Sequence, residues 1–495
     1  MKKEIWEKLQ KTKTLLKTVF FHEDYYVDSV LAAFASASNL MLLGERGTGK
    51  THVCEALINM IDRDCTQTVQ GYLSADLEDV FARLKIPSLM NGEEKIVWKK
   101  VVTARVKFFD EIQRLGAGAL SAMFRVLTKG TVLWLEQEKG AREFFTLATA
   151  NPQEVDYDVL NIRLPEPLHD RFHGILVVPS AKLKYQIKIN KNAEKMKESL
   201  PVIWKEQDLL ELWRDCEQVK ISPEIDLIAT LMNRIMQYCK FAQGHDSSTL
   251  KRELKRELCS KCNKTYLCSR IARSPSVRAK LAMLQLAQGF AYLEGRQEVT
   301  LEDLKKAFPL AYWKRVEFFE DEQIADRMEY LQNFFEQLKR EVMEVKEGLT
   351  LLEKLKQEFN KEDYEKLKFI ANAKGWFFEV IEMLDEHYKE IEQKLKAKYE
   401  SAKAQNDIVT MAKIYFIAKK KLPNDMANQF YFDHKVKIKL NEKELARLAK
   451  VHKDIFDFAK VMYKEGNKEI ELQGELALIY IVFSNSNSQK QKRGE

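Results

Sequence analysis

An apolar run, Leu40-Met41-Leu42-Leu43, leads directly into Gly44-Glu45-Arg46-Gly47-Thr48-Gly49-Lys50-Thr51, and an amphipathic helix-like segment follows. A Gly-x-x-x-x-Gly-Lys-Thr loop between strand and helix is a P-loop arrangement, and few other features restrict a chain so strongly. The glycines let successive backbone N–H groups close around phosphate oxygens, where the helix N-terminus adds a favourable dipole. Gly44 to Thr51 is therefore the expected nucleotide-binding loop, with Lys50 reaching the β- and γ-phosphates and the Thr51 hydroxyl on Mg²⁺. The alternative is a chance glycine-rich turn, which has no need of a strand on one side and a helix on the other.

From Ser38 to about Ser180, short apolar runs alternate with helix-like segments, as buried parallel strands separated by helices do. One run, Val106-Lys107-Phe108-Phe109, ends in Asp110-Glu111. Two acids at the tip of a buried strand suit a metal and a water, so Asp110 is read as a nucleotide-Mg²⁺ ligand and Glu111 as the base for an attacking water. Acids at strand ends also cap helices, and position after the P-loop is what strengthens the catalytic reading. The next strand, Phe144 to Ala148, runs into Thr149-Ala150-Asn151-Pro152. Asn151 at that tip could hydrogen-bond both the γ-phosphate and the water; taken alone, Asn-Pro more often just starts a turn.

The order of these motifs, followed by Leu164-Pro165-Glu166-Pro167-Leu168-His169-Asp170-Arg171-Phe172, resembles the MoxR family of AAA+ ATPases, which includes RavA, over roughly residues 20–316. The resemblance implies that Arg171 is the finger inserted into a neighbouring subunit's ATP site, with Arg163 a second candidate. It also implies that Asn151 is the sensor-1 residue and that Arg278, after Ser274-Pro275-Ser276-Val277, is the sensor-2 arginine touching the γ-phosphate of its own subunit. Gln70 to Asp79 resembles the family's segment between the Walker motifs, and Gly130 to Glu136 its inserted hairpin. Glu45-Arg46 stands where prolines are usual, Gln113 where Asn is usual, and the lid is enlarged. The family's properties are a homo-oligomeric ring, here expected to be hexameric, and chaperone-like remodelling of protein complexes, often beside a von Willebrand factor A domain partner. A nucleic-acid-remodelling AAA+ motor and a nucleotide-switched scaffold are the rival readings.

The expected organisation is an N-terminal helical segment (1–37), an α/β P-loop core (38–180), a lysine-rich linker (181–203), a helical lid (204–316) with a cysteine-containing insertion (242–273), a mainly helical extension with short strands (317–483) and a disordered tail (484–495). Thr300-Leu301-Glu302-Asp303 reads as a capping box. Within the insertion region Cys239, Cys259, Cys262 and Cys268 could hold a structural Zn²⁺, or could be four unrelated thiols. Beyond Glu317, Ile324, Met328, Leu331, Phe335, Leu338, Val342, Val345, Leu349 and Leu352 follow a 4-3-4-3 spacing, and a second such run goes from Phe377 to Leu395. The two predict an antiparallel coiled-coil hairpin or, equally, ordinary amphipathic helices of a bundle. Lysine and arginine total 81 against 74 acids, so the net charge of +7 argues only weakly for nucleic acid. No apolar stretch approaches the about 18 residues of a membrane span and no signal core opens the chain, so a cytoplasmic protein is expected.

Overall fold

The computed structural model describes residues 2–492 apart from 73–74, 91, 93–94, 152–165, 193–199, 263–266, 321–325, 378 and 451. The chain forms two compact units, Met1–Val342 and Met343–Glu495. In the first, helices α1 (Lys3–Val19) and α2 (Asp24–Ala35) precede a five-stranded sheet of β1 (Leu40–Leu43), β2 (Thr66–Gln70), β3 (Val106–Asp110), β4 (Phe145–Ala150) and β5 (Gly174–Val177). Strand order is β2-β3-β4-β1-β5, and every pairing is parallel. The central strands β3 and β4 are buried along their whole length, which is why they read as continuous apolar runs. Register does the positioning: Leu43 lies opposite Ala150, Phe109 opposite Ala148, and Gln70 opposite Asp110. The carboxyl ends of β1, β3 and β4 therefore meet at one edge, and helices α3 (Lys50–Asn59) and α4 (Ala117–Lys129) start near it.

Lys107 breaks the apolar run of β3 yet is wholly buried, bonded to the Ala104 carbonyl and lying 5.3 Å from the Phe144 ring centroid. Burial brings its pKa from 10.5 to about 7. Because the folded value lies below the unfolded one, the unfolded chain binds more protons between these limits, and stability lost to this group returns as pH rises towards 10.5. Lys107→Met is expected to stabilise the protein by about 2 kcal/mol at pH 7.5 in denaturant titration, with the gain shrinking towards zero near pH 10. A gain that does not depend on pH would assign it to packing alone.

The stretch expected as a linker contains helix α5 (Leu183–Asn192). Its Leu183, Ile187 and lysines have a helical spacing that is easily missed in a segment so short and polar. The stretch expected as the lid and its insertion contains α6 (Glu206–Glu217), α7 (Pro223–Gln237), α8 (Arg252–Ser260), α9 (Val277–Leu293) and α10 (Leu301–Tyr312), and Thr300 with Asp303 forms the expected capping box. Helix α9 packs on both α2 and α10. A Cβ at Gly289 of α9 would lie 2.1 Å from the Ala32 carbonyl oxygen of α2, so glycine permits this close crossing.

Helix α11 (Arg327–Glu344) carries the first half of the heptad-like stripe but belongs mostly to the first unit. Phe335 packs on Phe308 of α10 at 5.5 Å, Arg270 donates to Gln337 at 2.6 Å, and Lys305 pairs with Glu336 at 2.8 Å. The boundary therefore falls at Val342, not at Glu317. Ile324 of the stripe lies outside the described residues. At Val345 the helix is interrupted, and α12 (Lys346–Gln357), α13 (Lys361–Ala373) and α14 (Glu379–Ala404) follow. Tyr388 of α14 donates to the Leu355 carbonyl of α12, and α14 also packs on α13 and on α15 (Ile408–Lys421). The stripe is thus divided among several packed helices, as the bundle alternative expects, and the antiparallel coiled-coil hairpin gains no support. As the alternating Val436, Ile438 and Leu440 predict, Val436–Lys439 pairs antiparallel with Glu469–Leu472, beside α16 (Glu442–Leu448), α17 (Lys453–Lys464) and α18 (Gly474–Lys492). The last helix runs through most of the stretch expected to be disordered, because propagation from an apolar first half needs only one bond per added residue.

Candidate nucleotide site

The P-loop joins β1 to α3 with two glycines in left-handed conformations, Gly47 at φ 79° and Gly49 at φ 88°. Gly44 is needed for a different reason: a Cβ there would stand 2.4 Å from the Val178 carbonyl oxygen. Lys50 is buried and its Nζ donates to the carbonyls of Gly44 and Glu45, both at 2.7 Å. Burial pulls its pKa down while Asp110 and Glu111 oppose that shift. Thr51 Oγ1 donates to Asp110 Oδ1 at 2.8 Å, joining the two Mg²⁺ candidates.

Thr149 Oγ1 also donates to Asp110 Oδ1, at 2.5 Å, and accepts from the Glu111 backbone N–H at 2.9 Å. One hydroxyl on β4 thus fixes both acids of β3. Glu111 leaves the strand at φ 53°, a left-handed conformation costly for a side chain of its size, and its carboxylate reaches Arg114 at 3.1 Å. Gly71 closes the other flank: its N–H donates to the Asp110 carbonyl at 2.7 Å, and a Cβ would lie 2.2 Å from the Glu111 carbonyl oxygen. The resulting cavity of about 360 Å³ is lined by Arg46, Gly47, Gly49, Lys50, Thr51, His52, Glu111, Thr149 and Asn151. Beside it, His22 Nε2 donates to the Thr48 carbonyl at 3.2 Å, stacks on Phe20 at 4.6 Å and faces Tyr185 of α5 at 6.3 Å. Burial lowers the His22 pKa. Sequence reading missed this aromatic group, although Phe20-Phe21-His22 ahead of the P-loop strand was a signal available for it.

Arg171 and Arg278 are not among the residues that line this cavity. Instead Arg278 donates to Asp170 Oδ2 at 2.9 Å, and Arg171 stands 3.9 Å from the same oxygen. Arg163 lies outside the described residues. In the lid insertion, Cys239 is buried and Cys259, Cys262 and Cys268 are half-buried, grouped electrostatically around buried Lys255. Burial raises the pKa of Cys259, and that of Cys268 to about 12. Among the described residues no group of three or more His, Cys, Asp or Glu side chains is arranged to hold a metal ion, so the Zn²⁺ expectation gains no support.

A family profile for the AAA domain, dynein-related subfamily, matches residues 39–172, and one for the AAA lid domain matches residues 268–331. The chain thus carries an AAA domain with an AAA lid. None of the curated proteins matches it. Among solved structures it is similar to a provisionally named ATPase from Cytophaga hutchinsonii ATCC 33406, with a TM-score of 0.53 and 18% identity over 68% of this chain and 94% of that one. At that identity the likeness is one of fold. Among the described residues no helix is long and apolar enough to cross a membrane.

Proposed function

Starting from an AAA domain followed by an AAA lid, we propose that this chain hydrolyses ATP as a ring-forming motor of the MoxR type and remodels a protein partner. The observation that carries the reading is the single Asp110 oxygen bonded by Thr51 and Thr149 at the cavity that Lys50, Glu111 and Asn151 enclose. Lys50 exchanges its two carbonyl partners for phosphate oxygens, which bind an ammonium more strongly because the bond is charge-assisted at both ends. Thr51 and Asp110 offer the adjacent hard oxygen donors that Mg²⁺ takes. When bound, that ion supplies charge neutralisation on the phosphates. Glu111 accepts the proton of the water that attacks the γ-phosphorus, and Thr149 holds the Glu111 backbone so that its carboxylate faces the cavity. Asn151 orients the γ-phosphate and the water. The Phe20, His22 and Tyr185 rings provide the flat apolar surface on which a purine stacks.

Arg171 serves a neighbouring subunit, so the complete catalytic unit is a ring, which we take to be hexameric. A client bound by the second unit, or through a von Willebrand factor A domain adaptor, fits this reading. With MgATP the purified chain is expected to turn over and to sediment as a larger species than without nucleotide. Hydrolysis by a species that stays monomeric would remove the ring. The Glu111→Gln variant, expected to hold ATP and partner together, is the bait for identifying the client by co-purification.

A further inference from the structure

Asp170 has no part in the reaction above, yet three arginines converge on it. Arg315, just after α10, is the fixed one. Its side chain is 7% exposed and its Nε donates to Asp170 Oδ1 at 3.0 Å. Its other nitrogens donate to the carbonyls of Asp170, Phe172, His173 and Ala311 at 2.5–3.0 Å. These bonds tie the Asp170–His173 turn to the lid, and they occupy Oδ1.

The other oxygen is contested. Arg278, at the start of α9 and 58% exposed, donates to Oδ2 at 2.9 Å. Arg171 NH1 is 3.9 Å from Oδ2, too far for a hydrogen bond, and its buried Nε has no partner among the described residues. The Arg171 guanidinium rests 5.8 Å from the Phe124 ring centroid. An exposed ion pair contributes only up to about 1 kcal/mol, so exchange of one arginine for the other on Oδ2 lies within thermal reach.

We propose that Asp170 is a positioning residue through which the lid controls the finger. While Arg278 holds Oδ2, Arg171 keeps only the long 3.9 Å ion pair to that oxygen and is free to extend towards the neighbouring nucleotide. When the lid withdraws Arg278, Oδ2 captures Arg171 and retracts it. The arrangement rests on the reading of Arg171 as a residue that acts across the subunit boundary.

The test is a set of variants assayed for ATP turnover and KM, with thermal melting as the control for folding. Arg278→Ala should leave Arg171 captured, lowering kcat about tenfold with KM for ATP within about twofold. Asp170→Asn removes the acceptor at Oδ2 and should restore turnover in the Arg278→Ala background to the level of Asp170→Asn alone. A purely structural role for Asp170 predicts the opposite, a double variant worse than either single one, and that result overturns the proposal. Arg278→Lys keeps a cation on Oδ2 and should turn over within about threefold of the parent, which does not require Asp170→Asn to fold. An Arg278→Lys variant as slow as Arg278→Ala would assign Arg278 to nucleotide contact and overturn the proposal as well. Arg171→Ala, assayed alongside, separates the two claims. If it turns over normally, the finger reading falls and this proposal with it, whereas a dead Arg171→Ala with no rescue by Asp170→Asn sinks the proposal alone.

Discussion

Lys50→Ala and Glu111→Gln are expected to fail in different ways. On the proposed reading Lys50 binds phosphate as an ammonium, and removing it should weaken ATP binding by about 100-fold, the equivalent of one strong charge-assisted contact. Glu111 holds no phosphate. Its isosteric amide should bind ATP within a few-fold of the parent while kcat falls by about 10²–10⁴, the usual contribution of a positioned general base. Equilibrium binding of a fluorescent nucleotide and steady-state phosphate release distinguish the two. Because Lys50 also bonds the carbonyls of Gly44 and Glu45, a melting curve must show that Lys50→Ala retains its loop before lost binding is ascribed to the phosphate contact. Normal turnover in Glu111→Gln would remove the assigned base.

Arg171→Ala is expected to bind ATP normally and to lose about 10³-fold in turnover, the scale on which an arginine supplied in trans acts at a phosphoryl-transfer transition state. The stronger expectation concerns mixtures. Lys50→Ala subunits lack a working P-loop but carry an intact Arg171, and Arg171→Ala subunits have the reverse. Mixed under conditions that demonstrably exchange subunits, the two inactive proteins should recover part of the parent activity, because some boundaries then pair a complete P-loop with a complete finger. Absence of any recovery would argue that Arg171 acts within its own subunit or not at all.

The P-loop and the Asp110-Glu111 strand were legible in the sequence because each couples a short chemical motif to a long apolar context. Gly44 to Thr51 needs a strand before it and a helix after it, and Val106 to Phe109 cannot be a solvent-facing segment. Thr149 was overlooked in favour of Asn151 two residues on, since a hydroxyl inside a strand looks like β-propensity until the fold brings it within bonding distance of Asp110 Oδ1 and the Glu111 N–H. The grouping of Asp170, Arg278 and Arg315 was not legible, because it joins positions more than 100 residues apart through a lid orientation that no local pattern encodes. Heptad spacing described the stripe of α11 and α12 correctly as apolar, but spacing is the same whether the partner is one long helix or several short ones. The lid cysteines show the complementary limit: Cys-x-x-Cys fixes two sulfurs near each other, whereas a zinc site needs four ligands in tetrahedral reach, and among the described residues no group of three or more is assembled.

Gly71 carries an implication for how such a protein tolerates change. It lies just past the end of β2, outside every motif that touches nucleotide, and supplies no chemical group beyond a backbone N–H. Its lack of a side chain is nevertheless what lets the backbone of Asp110 and Glu111 pass so closely. Any replacement would push on the strand tip that orients the base, while leaving every catalytic atom in the chain. A lineage that drifts at this position would therefore keep the P-loop and the Asp110-Glu111 pair in its sequence while losing the backbone geometry that aligns them, so an intact motif set does not by itself mark an intact site.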